Sequence, residues 1–274
     1  MLHGLMQQPD REEYTLDQAL EKVQRAYSQD SLRNYTRSRR PYLAATTPLP
    51  AQPVVQGQPE PEGYDLIRSA AGDVLSRIRM APFDAHLLEA AQGDHERLRD
   101  LWGHGIAAIP VPVGSKGGGA KPPKWKHLQD TAPTEHDWAK WERSQWRDGN
   151  TALLWGHGGE GTLPLYDIEV EHWTEFAQRP DYQYFVANTP VYRSAKSAHI
   201  IILGAAGQEP VGNFAMPGLE FRGHGNYSLA PGSLHPSGVY YQLHDPDILT
   251  ILEIENIPAF VREHFPELIP APPS

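Results

Sequence analysis

The sequence predicts an α+β fold. Apolar residues at helical spacing fill its first part, short β-rich runs punctuated by Gly, Pro or Ser dominate from Thr151 onward, and a helical segment follows them, so helices flank a mostly antiparallel sheet. At 274 residues the chain is long enough to bury a real core as one large or two modest domains.

Residues 1–46 read as a small helical N-terminal region. Thr15 with Gln18 fits a capping box, and Leu16, Leu20, Val23 and Tyr27 fall on one stripe. The region ends in Arg33–Tyr42, where arginines and tyrosines suit either phosphates and bases or a solvated basic face. Residues 47–63, rich in Pro, Gln and Glu, read as an extended linker. Helical spacing then resumes over 64–80, through Leu66, Ile67, Ala70, Val74, Leu75 and Ile78, and again over 84–102, which Gly103 and Gly105 terminate.

A strand is expected over 106–113, followed by a glycine-rich basic loop, Gly114–Lys126, and a helix over 134–146 whose Trp138, Trp141 and Trp146 are packing residues. Strands are expected over 151–155, 162–170, 189–193, 199–203, 219–222, 226–230 and 239–243, and a closing helix over 258–264.

Composition narrows the chemistry. With no cysteine, disulfides, thiolate zinc, iron–sulfur clusters and thiol catalysis are excluded, and any metal must use oxygen or imidazole. A formal net charge of -10 argues against coating nucleic acid through a global field, while leaving local basic patches free to bind a strand. No apolar run approaches the roughly 20 residues of a membrane span and no signal peptide is visible, so a soluble cytoplasmic protein with no membrane partner is expected.

The densest chemistry lies in Leu165-Tyr-Asp-Ile-Glu-Val170. In a strand, Asp167 and Glu169 share one face, and like charges so close sit on an inward face only if a cation lies between them. Either they hold a divalent metal or they are the wet side of the strand. Gly156-His-Gly-Gly-Glu-Gly161 satisfies a dinucleotide-binding pattern but leads from strand to strand, so it reads as a hairpin loop. Gly114–Lys121 falls short of a phosphate-binding P-loop, with Ala120 where the lysine belongs. No zinc-peptidase or serine-hydrolase motif is present, and any helicase partner would be a separate polypeptide.

Three further segments carry polar groups: Tyr192-Arg-Ser-Ala-Lys-Ser-Ala-His199, whose donors gather at a strand start; Leu219-Glu-Phe-Arg-Gly223, which puts Glu220 and Arg222 on one face; and the loop holding Ser233 and His235. Their order, an acidic pair, then Ser197 with His199, then Glu220, resembles the archaeo-eukaryotic primase superfamily, specifically its bifunctional primase-polymerase domains, across about residues 88–245. The surroundings are also similar, including Lys121-Pro122, Trp125, Arg222-Gly223 and His235-Pro-Ser-Gly238. The sequence departs from the family pattern at Glu220, where aspartate is commoner, at His224-Gly225-Asn226 and at Pro231-Gly232-Ser233.

The resemblance implies a catalytic domain over 64–274 with an RRM-like sheet and an added α/β unit. It implies template-directed nucleotidyl transfer on single-stranded DNA from nucleoside or deoxynucleoside triphosphates. Asp167, Glu169 and Glu220 would hold Mg²⁺ or Mn²⁺. Lys196, Ser197, His199 and Arg222 would bind the triphosphate, His199 also counting as catalytic, and Lys121, Lys124 and Lys126 would meet the template backbone. A nucleic-acid-binding module without catalysis and a metal-dependent phosphohydrolase are the competing classes.

Overall fold

The most apolar runs become the innermost strands. The computed structural model describes residues 65–68, 72, 74–113, 122–143, 146–157, 159 and 161–268, all within the unit Pro48–Ser274. The expected N-terminal helices, the linker and the basic stretch Arg33–Tyr42 lie outside these residues. In chain order the first half holds β1 (Asp65–Arg68), β2 (Val74–Pro82), α1 (His95–Gly103), β3 (Ala108–Val111), α2 (Glu135–Glu142) and β4 (Asn150–Leu154). Then come β5 (Leu165–Val170), α3 (Trp173–Ala177), α4 (Tyr182–Asn188), β6 (Val191–Arg193) and β7 (Ala198–Gly204). β8 (Phe214–Met216), β9 (Leu219–Arg222), β10 (Tyr227–Leu229), β11 (Gln242–Leu243), β12 (Thr250–Ile254) and α5 (Ile257–His264) complete the order.

Nine strands form one sheet, ordered β1-β2-β12-β7-β5-β9-β8 with β6 and β11 extending from β7, and β10-β4-β3 form a second. Every named pair is antiparallel except β12 with β7. The class is therefore α+β with a mostly antiparallel sheet, as expected.

Period-two alternation divides the large sheet's faces. Tyr166, Ile168 and Val170 of β5, with Ile200, Ile202 and Phe221, pack under Phe176 of α3, Phe185 of α4 and Phe260 of α5. On the opposite face, Leu165 and Ile201 join Ile109, Leu153 and Trp155 from the small-sheet side, together with Leu101 of α1 and Trp141 of α2. Asp167 and Glu169 belong to this second face, so the acidic pair points into the seam between two sheets. Trp138 and Trp141 are buried and Trp146 packs against the same cluster, which bears out their expected packing role.

Several local expectations are corrected. Residues 65–82 form a β-hairpin, with Ile67 facing Ser76, in place of a helix over 64–80. Val74, Leu75 and Met80, which a helix would have buried, are exposed, while Ile78 is buried and Leu252 of β12 pairs with Met80. The open edge of β12 thus overrides a spacing compatible with both structures. The helix expected over 84–102 is a 3-10 turn, Ala85–Leu88, then α1, which Asp94 caps by accepting the Arg97 N–H at 3.0 Å. Gly105, at φ 76, ends α1 in the left-handed region as its position predicted. β8, β12, α3 and α4 were not foreseen. Among the described residues no helix is long and apolar enough to cross a membrane.

The loop 156–161 is not a hairpin, because it connects β4 of the small sheet to β5 of the large one. Its first residue, Gly156, has φ 61, and a Cβ there would stand 2.4 Å from the His224 backbone nitrogen. Gly156→Ala is expected to cost roughly 1–3 kcal/mol through left-handed strain and this close approach. A urea denaturation midpoint equal to wild type would contradict that tight junction.

Candidate active site

Register alone assembles the site. Across β5 and β9, Asp167 lies opposite Arg222 and Glu169 opposite Glu220, while across β5 and β7 Glu169 lies opposite His199. Residues directly opposite in an antiparallel pair share a face, so the three acids, the histidine and the arginine expected from the sequence meet on one surface.

They meet around a guanidinium. Arg222 Nη1 lies 3.4 Å from Asp167 Oδ2, and Nη2 lies 2.8 Å from Glu220 Oε2 and in ion-pair contact with Glu169 Oε2. That Glu169 oxygen is buried and accepts no hydrogen bond from any donor among the described residues. Asn226 Nδ2 donates to the second oxygen of Glu220 at 3.3 Å. Burial opposes the positive charge of Arg222, but the facing Asp167 and Glu169 carboxylates outweigh it and hold the guanidinium protonated far above its ordinary range.

Asp167 is wholly buried and receives the His199 Nδ1–H at 3.0 Å from Oδ2 and 3.2 Å from Oδ1. Burial by itself would raise its pKa. The facing charge and hydrogen bond of His199, with Arg222 and a hydrogen bond from Ser228, reverse that and hold the carboxyl below its ordinary 3.8. His199 is equally buried, its ring stacked on Tyr192 with centroids 4.4 Å apart, and its Nε2 has no partner among the described residues.

A cleft of about 230 Å³ opens beside these groups, and Glu169, Glu220 and Arg222 line it together with Lys196 and Glu171. Lys196 Nζ is ion-paired with Glu171, which lowers the Glu171 pKa. Ser197 is buried in the turn before β7, and its N–H donates to Ser194 Oγ at 3.0 Å.

The remaining expected residues are not brought to this cleft. Lys124 and Lys126 are exposed on the segment entering the turn Lys126–Gln129 and do not line it, although Gln129 Oε1 accepts the Gly225 N–H at 3.2 Å and ties that segment to the loop after β9. Lys121 lies outside the described residues. Ser233 serves the small sheet, its hydroxyl donating to the Thr151 carbonyl at 2.9 Å, and His235 Nδ1 accepts the Ser237 N–H.

Sequence reasoning missed Glu171, Asn226, Ser228, Tyr192 and Trp155. Glu171 was reachable by extending the period-two pattern of Asp167 and Glu169 one step. The other four depend on which strands become neighbours, for which the sequence carries no local signal.

In donor chemistry, three carboxylates facing one guanidinium form a hard-oxygen set that retains excess negative charge, and this suits a divalent cation. Among the described residues, however, no group of three His, Asp or Glu side chains is placed to close around one ion. The guanidinium stands where such a cation would balance the charge.

Residues 75–260 match the family model of the bifunctional DNA primase/polymerase N-terminal domain, more than half of the 274 residues. The chain belongs to this family. The match reaches beyond residues 88–245 at both ends, taking in most of β2 and all of β12. Membership carries a primase/polymerase role of the nucleotidyltransferase class, acting on nucleic acid and nucleotides. It lends no support to a separate helicase. No individually curated protein matched the chain.

The depressed pKa of Asp167 fixes a sign. Its pairing stabilises the fold above about pH 4 and is lost as pH falls through the lowered folded value. Asp167→Asn is expected to lose about 3 kcal/mol at neutral pH, with the deficit shrinking as pH drops below about 4. Urea titrations of both proteins from neutral to acid pH check this, and a deficit that stays constant would contradict it.

Proposed function

We propose that this protein makes or extends primers on single-stranded DNA. In the reaction, a 3′-hydroxyl or that of an initiating nucleotide attacks the α-phosphate of an incoming nucleoside or deoxynucleoside triphosphate, forming the new P–O bond as pyrophosphate leaves. The observation that carries this reading is the convergence of Asp167, Glu169, Glu220, His199 and Arg222 on one sheet face beside a cleft that also holds Lys196.

Asp167, Glu169 and Glu220 would hold Mg²⁺ or Mn²⁺. Bound there, such an ion supplies charge neutralisation at the attacking and leaving oxygens and lowers the pKa of the attacking hydroxyl. Arg222 exchanges its carboxylates for the triphosphate, where a planar fork of donors suits phosphate oxygens. Lys196 is the most exposed cation of the group at 60% and leaves Glu171 for the same anion. His199 keeps Nδ1 on Asp167 and offers Nε2 to a phosphate oxygen. Ser197 shapes the turn that presents Lys196, and Lys124 and Lys126, with Lys121, meet the template backbone. A plasmid, phage or mobile-element replicon is the setting in which such a domain serves.

Incorporation of labelled nucleotides on primed and unprimed single-stranded DNA tests the reading. Asp167→Ala is expected to abolish incorporation in Mg²⁺ and Mn²⁺ with the circular dichroism spectrum unchanged, and wild-type extension by this variant would refute the assignment. Lys196→Ala is expected to raise the nucleotide KM on the order of tenfold with a smaller effect on kcat, as loss of a charge-assisted contact predicts. The arginine among the acids favours one other reading, a DNA-binding module without catalysis. Retention of DNA on a filter with no incorporation by the wild-type protein would select it.

A further inference from the structure

The proposed chemistry leaves one buried polar cluster unused. Trp155, Tyr192 and Ser228 are all fully buried behind Asp167. Trp155 Nε1 lies 3.0 Å from Ser228 Oγ, Tyr192 Oη lies 2.7 Å from the same oxygen, and the serine side chain is hydrogen-bonded to Asp167.

Donor accounting fixes every proton in this cluster. A hydroxyl has one proton to give and two lone pairs to receive with, an indole N–H only donates, and an ionised carboxylate only accepts. Ser228 therefore spends its proton on Asp167. The Trp155 N–H and the Tyr192 O–H must both be incoming, which saturates the serine oxygen and polarises its O–H toward the acid. Asp167 then collects three donors, from His199, Arg222 and Ser228. Tyr192 acts on two of the three relations, since its hydroxyl orients Ser228 and its ring stacks on His199.

We propose that Ser228 is a positioning residue for nucleotidyl transfer, holding Asp167 in one orientation through a hydroxyl that Trp155 and Tyr192 aim. The donor comes from β10, paired to β4 in the small sheet, and the acid from β5 in the large one, so the contact locks the two sheets at the point of chemistry. When Arg222 moves to substrate, the serine remains as a donor that no ligand displaces.

This inference rests on the reading of Asp167 as a metal-holding acid, and the experiment separates the two. The full chain is compared as wild type, Asp167→Ala, Ser228→Ala and the pair Trp155→Phe/Tyr192→Phe. For each protein, kcat and nucleotide KM are measured, together with Mn²⁺ binding by electron paramagnetic resonance in the absence of nucleotide. Ser228→Ala is expected to lower kcat about 10–100-fold and to weaken Mn²⁺ binding, with KM within about twofold of wild type. Wild-type kcat and Mn²⁺ affinity in that variant would overturn the proposal. If the alanine variant does not fold, the double variant carries the test, because it keeps both rings and withdraws both donors. A drop in kcat of about threefold or more at unchanged KM is then expected, and an unchanged kcat overturns the proposal. A wild-type protein that neither binds Mn²⁺ nor incorporates nucleotide, or one whose Asp167→Ala form matches it, refutes the underlying reading instead.

Discussion

One guanidinium shared by three carboxylates is the interaction on which the site depends. Asp167, Glu169 and Glu220 are drawn together by strand pairing, and without a cation their mutual repulsion would work against the sheet that places them. Arg222 reaches all three from the strand that also carries Glu220. Three acids against one base leave negative charge uncompensated, with the pairing of His199 to Asp167 taking up part of it. Charge of this sign, held by rigid backbone and partly covered from water, attracts either a further cation or the cationic face of a metal–nucleotide complex.

The rigidity has a structural source. β5 lies between β7 and β9, with helices packed under one face and the small sheet over the other, so Asp167 cannot swing away without breaking both layers. Completing the seam falls to the small sheet, which delivers Trp155 and Ser228. Loop 156–161 and the loop after β9, crowded together where Gly156 meets His224, keep the two sheets in register at the site. An active centre built on such a seam is sensitive to changes that move one sheet relative to the other, even when they leave each sheet intact.

How much of this was legible beforehand follows from the range of each interaction. Period two within a strand is local, so Asp167 with Glu169, and Glu220 with Arg222, could be read as same-face pairs before any pairing was known, and the order of motifs gave the family. The expectation of a metal between the acids supplied the right sign of charge, whereas the cation in the structure is Arg222. Residues 65–82 show the opposite limit. Val74, Leu75 and Ile78 satisfy a helical stripe, and only the availability of β12 as a partner makes them a strand. Ser228, Tyr192 and Trp155 come from three separate segments, and nothing within any one segment records that their polar atoms meet. Lys124 and Lys126 are legible as a basic segment, but their distance from the acids is set by how the small sheet packs, which composition does not encode.

Exposure rises in order across the site, and that order separates fixed groups from exchangeable ones. The side chain of Asp167 is at 0%, Arg222 at 11%, Glu169 at 16%, Glu220 at 32% and Lys196 at 60%. A buried ion loses heavily when its partner leaves, whereas an exposed one is compensated by water, so partners exchange most readily at the outer end of this series. Lys196 can leave Glu171 for an anion at little cost, Glu220 can trade Arg222 for another cation at moderate cost, and Asp167 keeps its histidine and serine throughout. An anionic ligand entering the cleft thus meets mobile charge first and fixed charge last. The departure at Glu220 falls within the exchangeable part of the site, where an additional methylene is absorbed by side-chain rotation. Asp167, at the fixed end, has no comparable freedom, which is consistent with its carrying the shorter carboxylate.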